Sequence, residues 1–120
     1  MFSNHVMNST VTDCEFKWSG DSAIAFLGST ISIDGSLPTY PNNNLVARNH
    51  IHEIGVYGKQ TSCFAQQLSS NSTVVDNVCY NGPRAGINYN DGFGGNNLFK
   101  GNAVWNMVRE TGDHGPLNSW

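Results

Sequence analysis

Four side chains able to carry charge or exchange a proton fall within one short stretch: Arg109, Glu110, Asp113 and His114. Glycoside hydrolysis needs two carboxyl groups flanking the scissile bond, one protonated and one ionised. Glu110 and Asp113 stand three residues apart in a segment that reads as a loop, with Arg109 and His114 placed to tune their pKa values. The pattern predicts Asp113 and Glu110 as the acid and the base or nucleophile, with His114 assisting. Its bland counterpart is a solvated loop in which Asp113 caps a turn, as Asp commonly does.

Further residues of this kind lie upstream. The segment Asn88-Tyr89-Asn90-Asp91-Gly92-Phe93-Gly94-Gly95-Asn96 is glycine-rich. No Lys-Ser/Thr follows it and no helix opens there, so a tight turn fits better than a phosphate loop. Asn88, Tyr89 and Asp91 would still make a sugar-binding shelf, with Tyr89 or Phe93 stacking on a pyranose face. His50 and His52 alternate onto one outward face and could ligate a metal. No third protein ligand stands in clear register, so an exposed pair bonding to its neighbours is expected and no metal site is assigned. Lys59 and Arg84 suit a different chemistry, removal of the proton beside a uronate carboxylate, with Ca²⁺ neutralising that carboxylate. Two glycosylation sequons, Asn8-Ser9-Thr10 and Asn71-Ser72-Thr73, each open a strand-like segment.

What would hold these residues in place is a repeat. Four segments superpose without gaps: Ser9 to Phe16, Asn44 to Ile51, Ser72 to Cys79 and Asn97 to Val104. Their third positions are Val11, Val46, Val74 and Phe99, separated by 35, 28 and 25 residues. Their last positions are Phe16, Ile51, Cys79 and Val104, and their sixth are Cys14, Asn49, Asn77 and Asn102. Apolar residues spaced by polar ones describe half-buried strands. Asn is a poor strand former. At a bend between strands it tolerates unusual dihedrals, and amides stacked ~4.8 Å apart can hydrogen-bond from one turn of the chain to the next. An asparagine ladder is therefore expected.

A second apolar strand follows each copy: Ala23 to Phe26, Cys63 to Ala65, Ala85 to Tyr89 and Gly115 to Asn118. Overlaying the last two sets Ala85-Gly86 beside His114-Gly115 and brings Arg84 near Asp113, to hold that carboxylate ionised or to bind an acidic sugar. Strand, turn, strand, turn at this period describes an all-β, right-handed, single-stranded parallel β-helix. About four coils occupy residues 1–120 as a single domain, each coil lending its backbone bonds to the next. Open edges at both ends predict flanking coils or a cap in a longer parent chain.

Composition agrees and excludes other classes. Only 12% of residues are charged and the net charge is -3, against nucleic-acid binding. No apolar run approaches the ~18 residues of a membrane span, and the stretch after Met1 lacks the core of a signal peptide. At 38% hydrophobic the chain has too little apolar content for one large spherical core. Three cysteines do not make a complete disulfide set, and Cys63 and Cys79 read as small core residues.

The stretch Asn44-Leu45-Val46-Ala47-Arg48-Asn49-His50-Ile51-His52-Glu53-Ile54-Gly55 resembles the N-x-V-x-x-N-x-I-H-x-x-G coil of pectate-lyase-like right-handed β-helix proteins among carbohydrate-active enzymes. Val108 to Trp120 is similar to their E-T-x-D-x-G segment, departing from it with His114 and Pro116-Leu117. The likeness is nearest to β-helix glycoside hydrolases of the family 141 type, with their α-fucosidase-like and xylanase-like members. It implies an extracellular or cell-surface protein acting on a polysaccharide or oligosaccharide without a cofactor. Asp113, Glu110 and His114 would be catalytic, and Arg84, Arg109, Asn88, Tyr89 and Asp91 would bind substrate. A polysaccharide lyase using Arg84, Lys59 and Ca²⁺ and a non-catalytic adhesive scaffold are the alternatives.

Overall fold

The third and eighth residues of each repeat are both apolar, and both can be buried only if the chain bends between them. In the computed structural model, which describes residues 2–28, 39–89 and 94–119, every copy bends and divides into two short strands. Asp91, with Asn90, Gly92 and Phe93, lies outside the described residues. After β1 (Phe2–Asn4), a first pass makes β2 (Thr10–Thr12), β3 (Glu15–Lys17) and β4 (Ile24–Leu27). A second makes β5 (Leu45–Ala47), β6 (His50–His52) and β7 (Ser62–Gln67). A third makes β8 (Thr73–Val75), β9 (Val78–Tyr80) and β10 (Ala85–Tyr89). The last makes β11 (Leu98–Lys100), β12 (Ala103–Trp105) and β13 (Leu117–Asn118).

Every third strand joins the same sheet. One sheet runs β1-β4-β7-β10-β13, a second β11-β8-β5-β2 and a third β12-β9-β6-β3. All pairings between these strands are parallel. The fold is thus all-β, with parallel strands in three stacked sheets and no helix among the described residues, consistent with a β-helix. No helix there is long and apolar enough to cross a membrane. The register matches the gapless superposition residue for residue: Val11 pairs with Val46, Val46 with Val74 and Phe99 with Val74. Phe16, Ile51, Cys79 and Val104 form the other inward row.

Three columns of left-handed residues make the bends. Asn8, Asn43, Asn71 and Asn96 precede the first strand of each pass, and Asp13, Arg48, Asp76 and Gly101 separate the first from the second. Trp18, Glu53, Asn81 and Asn106 follow the second, and all twelve have φ between 49° and 67°. The expectation that the ladder asparagines adopt the unusual dihedral is corrected: the residue before each of them does. The reason is geometric. A left-handed residue turns the chain, and the next side chain then points along the stack rather than out of it. Gly101 could not be replaced there without contact, since a Cβ would lie 2.1 Å from Asp76 Oδ1.

The ladder is made as expected. Asn49 Nδ2 donates to Asn77 Oδ1 at 3.0 Å, and Asn77 Nδ2 donates to Asn102 Oδ1 at 2.9 Å. Each Oδ1 also accepts the backbone N–H of the preceding pass, at 3.0 Å for both Asn49 and Asn77. Cys14 N–H bonds Asn49 Oδ1 at 3.1 Å, so the first copy uses the ladder without adding to it. Buried amides so satisfied avoid a desolvation penalty of ~1–3 kcal/mol each.

Between the sheets lie Ile24, Phe26, Val46, Ile51, Phe64, Val74 and Ile87, all at most 5% exposed. Burying each contributes ~1.5–3 kcal/mol. Phe64 meets Phe26 edge-on at 5.7 Å and Phe99 at 6.3 Å. Cys63 and Cys79 are buried in this interior, but the reading of them as unpaired core residues is overturned: they form a disulfide. It joins the five-stranded sheet of one pass to the β9 strand of the next. Cys14 is free and exposed.

Candidate functional site

The three bend columns keep one spacing, so chain length varies only in the connections to and from the five-stranded sheet. Ile24 follows Trp18 by six residues and Ile87 follows Asn81 by six. Phe64 follows Glu53 by eleven residues and Leu117 follows Asn106 by eleven. Two long connections therefore flank a short one. Where the chain is short, around Arg84, a recess opens between its longer neighbours. It encloses about 250 Å³ and is lined by Arg84, Asn88 and His114 together with Ser22, Gln60, Thr61 and Ser62.

The longer connections are tied down individually. The glycine closing the first resemblance motif, Gly55, has φ 70°, and a Cβ there would lie 2.5 Å from the Pro83 ring. Across the recess, Val108 takes φ 60°, a costly conformation for a β-branched residue. Val108 N–H donates to Arg84 O at 2.8 Å and Glu110 N–H to Pro83 O at 3.0 Å, holding the acidic loop against the short connection. Lys59 Nζ donates to Glu110 Oε1 at 3.1 Å, linking the two long connections.

Asp113 is the hub of the polar contacts. Its Oδ1 accepts the Thr111 hydroxyl at 2.6 Å and lies 2.7 Å from His114 Nδ1, while Arg84 Nη2 reaches Oδ2 at 3.4 Å. The Thr111 bond first, then the His114 ring and the Arg84 charge, lower its pKa to about 2. Asp113 is therefore ionised at neutral pH and is no proton donor, while so low a pKa makes it a weak base and leaves a nucleophilic or charge-stabilising role. Its side chain is 63% exposed and lies outside the recess, whereas His114, 2% exposed, lines it.

The structure brings Arg84, Asn88, Asp113 and His114 together. Arg84 and Asp113 meet as expected, but the overlay behind that expectation was one residue out: Ile87 pairs with Leu117 and Asn88 with Asn118. Gly86 and Ile87 both donate backbone N–H to Pro116 O, which fixes this register. Glu110 pairs with Lys59 instead of entering the recess, and Arg109 is exposed beside it. Tyr89 is half-buried, packing on Phe99 at 4.5 Å and against the core cluster. Ser22, Gln60, Thr61 and Ser62 escaped sequence reasoning because they come from two passes, joined by the Ser62 N–H to Ser22 Oγ bond at 3.1 Å. Lys59 and Arg84 each hold a different carboxylate.

A second polar group lies on the outer face of the β12-β9-β6-β3 sheet. Glu15 pairs with His50 and Lys17 with His52 in the β3–β6 register. Glu15, His50 and His52 are close enough that their ligand atoms lie within 4.8 Å of one another. Glu15 occupies the column of the superposition that holds His50. Rings of His52, Tyr80 and Trp105 stack along the same face, 5.0 and 4.7 Å apart. No protein-family model matches the chain, and no curated protein or solved structure matches it either.

Proposed function

We propose that the chain forms coils of a right-handed parallel β-helix in an extracellular, carbohydrate-active protein, a glycoside hydrolase that uses the recess at Arg84, Asn88 and His114. Right-handed coiling follows from the strong bias of crossovers between parallel strands. The buried disulfide suits an oxidising compartment. One observation carries the functional reading: a polar recess is lined by His114, whose ring lies 2.7 Å from the ionised Asp113 carboxylate. Hydroxyls of Ser22 and Ser62, with the Gln60 and Asn88 amides, match the donors and acceptors of a sugar ring.

In this reading Asp113 supplies the ionised carboxylate and Glu110 the proton, for which the 3.1 Å Lys59 pair must open. A lyase is the second reading, favoured by the fact that Arg84 and His114 line the recess while neither carboxylate does. Arg84 would then neutralise a uronate and His114 remove the adjacent proton.

Incubation with a polysaccharide panel, beside Asp113→Asn, separates these. New reducing ends lost in the variant, without absorbance from unsaturated uronate, are expected. Reducing ends with that absorbance would transfer the assignment to the lyase. No product from a folded protein would leave a non-catalytic scaffold and sink the enzyme reading.

A further inference from the structure

We propose that Glu15, His50 and His52 form a binding site for a divalent transition-metal ion of the Zn²⁺ class, on a different face from the recess. Two imidazoles and one carboxylate are a donor set that such ions favour, whereas Ca²⁺ and Mg²⁺ prefer oxygen alone. The backbone supplies the arrangement. Parallel pairing sets Glu15 directly against His50 on adjacent strands. The alternation of β6 puts His52 on the same face, its ring 4.8 Å from that of His50.

Distances suit a metal. His52 Nε2 lies 3.4 Å from Glu15 Oε1. Two ligands of a tetrahedral ion with bonds of ~2.1 Å are separated by about 3.4 Å. All three ligand atoms lie within 4.8 Å of one another, so a small rotation of the exposed Glu15 or His50 closes the triangle. Surrounding groups orient the ligands. Lys17 Nζ takes Glu15 Oε2 at 2.9 Å, leaving Oε1 toward the histidines. Tyr80 Oη lies 3.2 Å from His50 Nε2, and the Tyr80 ring stacks on His52 with a 5° interplanar angle. Such outer contacts fix the orientation of metal-bound imidazoles. Three protein ligands leave a position for water or a further donor.

Because the ligands come from consecutive passes, the ion would also clamp β3 to β6 and stabilise the folded chain by mass action. Titration of the full chain with Zn²⁺, followed by calorimetry and by the melting temperature, tests the proposal. One ion per chain and a raised melting temperature are expected, with excess Ca²⁺ unable to compete. Glu15→Gln and His52→Gln should each weaken binding at least tenfold. His114→Gln, which alters the other imidazole–carboxylate pair, should leave it unchanged. The proposal is overturned if Zn²⁺ does not bind, if both Glu15→Gln and His52→Gln bind as the parent does, or if His114→Gln alone abolishes binding.

Discussion

Asn77 donates its side-chain amide to Asn102 Oδ1 at 2.9 Å while its own Oδ1 accepts from Asn49. It is 4% exposed and also donates to Val46 O at 3.0 Å. Asn77→Ala would leave Asn49 N–H, Asn49 Nδ2 and Val46 O short of partners inside the fold. We expect a loss of about 2–4 kcal/mol, since each orphaned buried group costs ~1–3 kcal/mol and relaxation recovers part. Urea denaturation would show it. A loss below that of the half-buried Asn102→Ala would mean that the ladder does not carry buried load.

The ladder was legible in the sequence because its residues share one column of a gapless repeat, and strand pairing keeps that column straight. Val11, Val46, Val74 and Phe99 were legible for the same reason. The bends were legible only in part. Asn8, Asn43, Asn71 and Asn96 share a residue type that tolerates the left-handed region, whereas Asp13, Arg48, Asp76 and Gly101 share only the dihedral. Cys63 and Cys79 escaped because one lies in the repeat and the other in the strand after it, a proximity created only when the chain closes on itself. Glu15 escaped as a partner of His50 because a carboxylate and an imidazole do not look like the same repeat position. In the five-stranded sheet the register slipped by one, since connections of unequal length remove the anchor that the bends give elsewhere.

The Cys63–Cys79 bond spans 16 residues. Chain-entropy arguments assign a loop of that size about 3 kcal/mol. Reduction, or Cys79→Ala, should lower stability by that order. A thiol reagent should label Cys14 in the native chain and all three cysteines only after unfolding in reductant. Labelling of three thiols in unreduced, unfolded chain would show that the bond does not form.

Gly55 and Gly112 should respond unequally to alanine. At Gly55 a left-handed φ of 70° adds ~1–2 kcal/mol of strain for any side chain. A Cβ would also press on the rigid Pro83 ring from 2.5 Å. Around Gly112 nothing lies within 4 Å of the added atom. Thermal melts should show Gly55→Ala clearly destabilised and Gly112→Ala within ~0.5 kcal/mol of the parent. Equal effects would mean that the connection over Pro83 is not packed as described.

The Asp113 carboxyl should titrate near 2, below its ordinary 3.8, because Thr111, His114 and Arg84 all favour the ionised form. The sign follows from linkage: a group whose folded pKa is lowered stabilises the fold fully above its unfolded value. That contribution should persist above about pH 4 and disappear as pH falls through about 2. Comparing acid unfolding of the parent with that of Asp113→Asn isolates it, since the variant lacks the titrating group. The two curves should differ by a constant above pH 4 and converge toward pH 2. In Thr111→Val, which removes the largest cause, the midpoint measured by carboxyl NMR should move back toward 3.8. A parent midpoint already at 3.8 would show that the three contacts do not hold in solution.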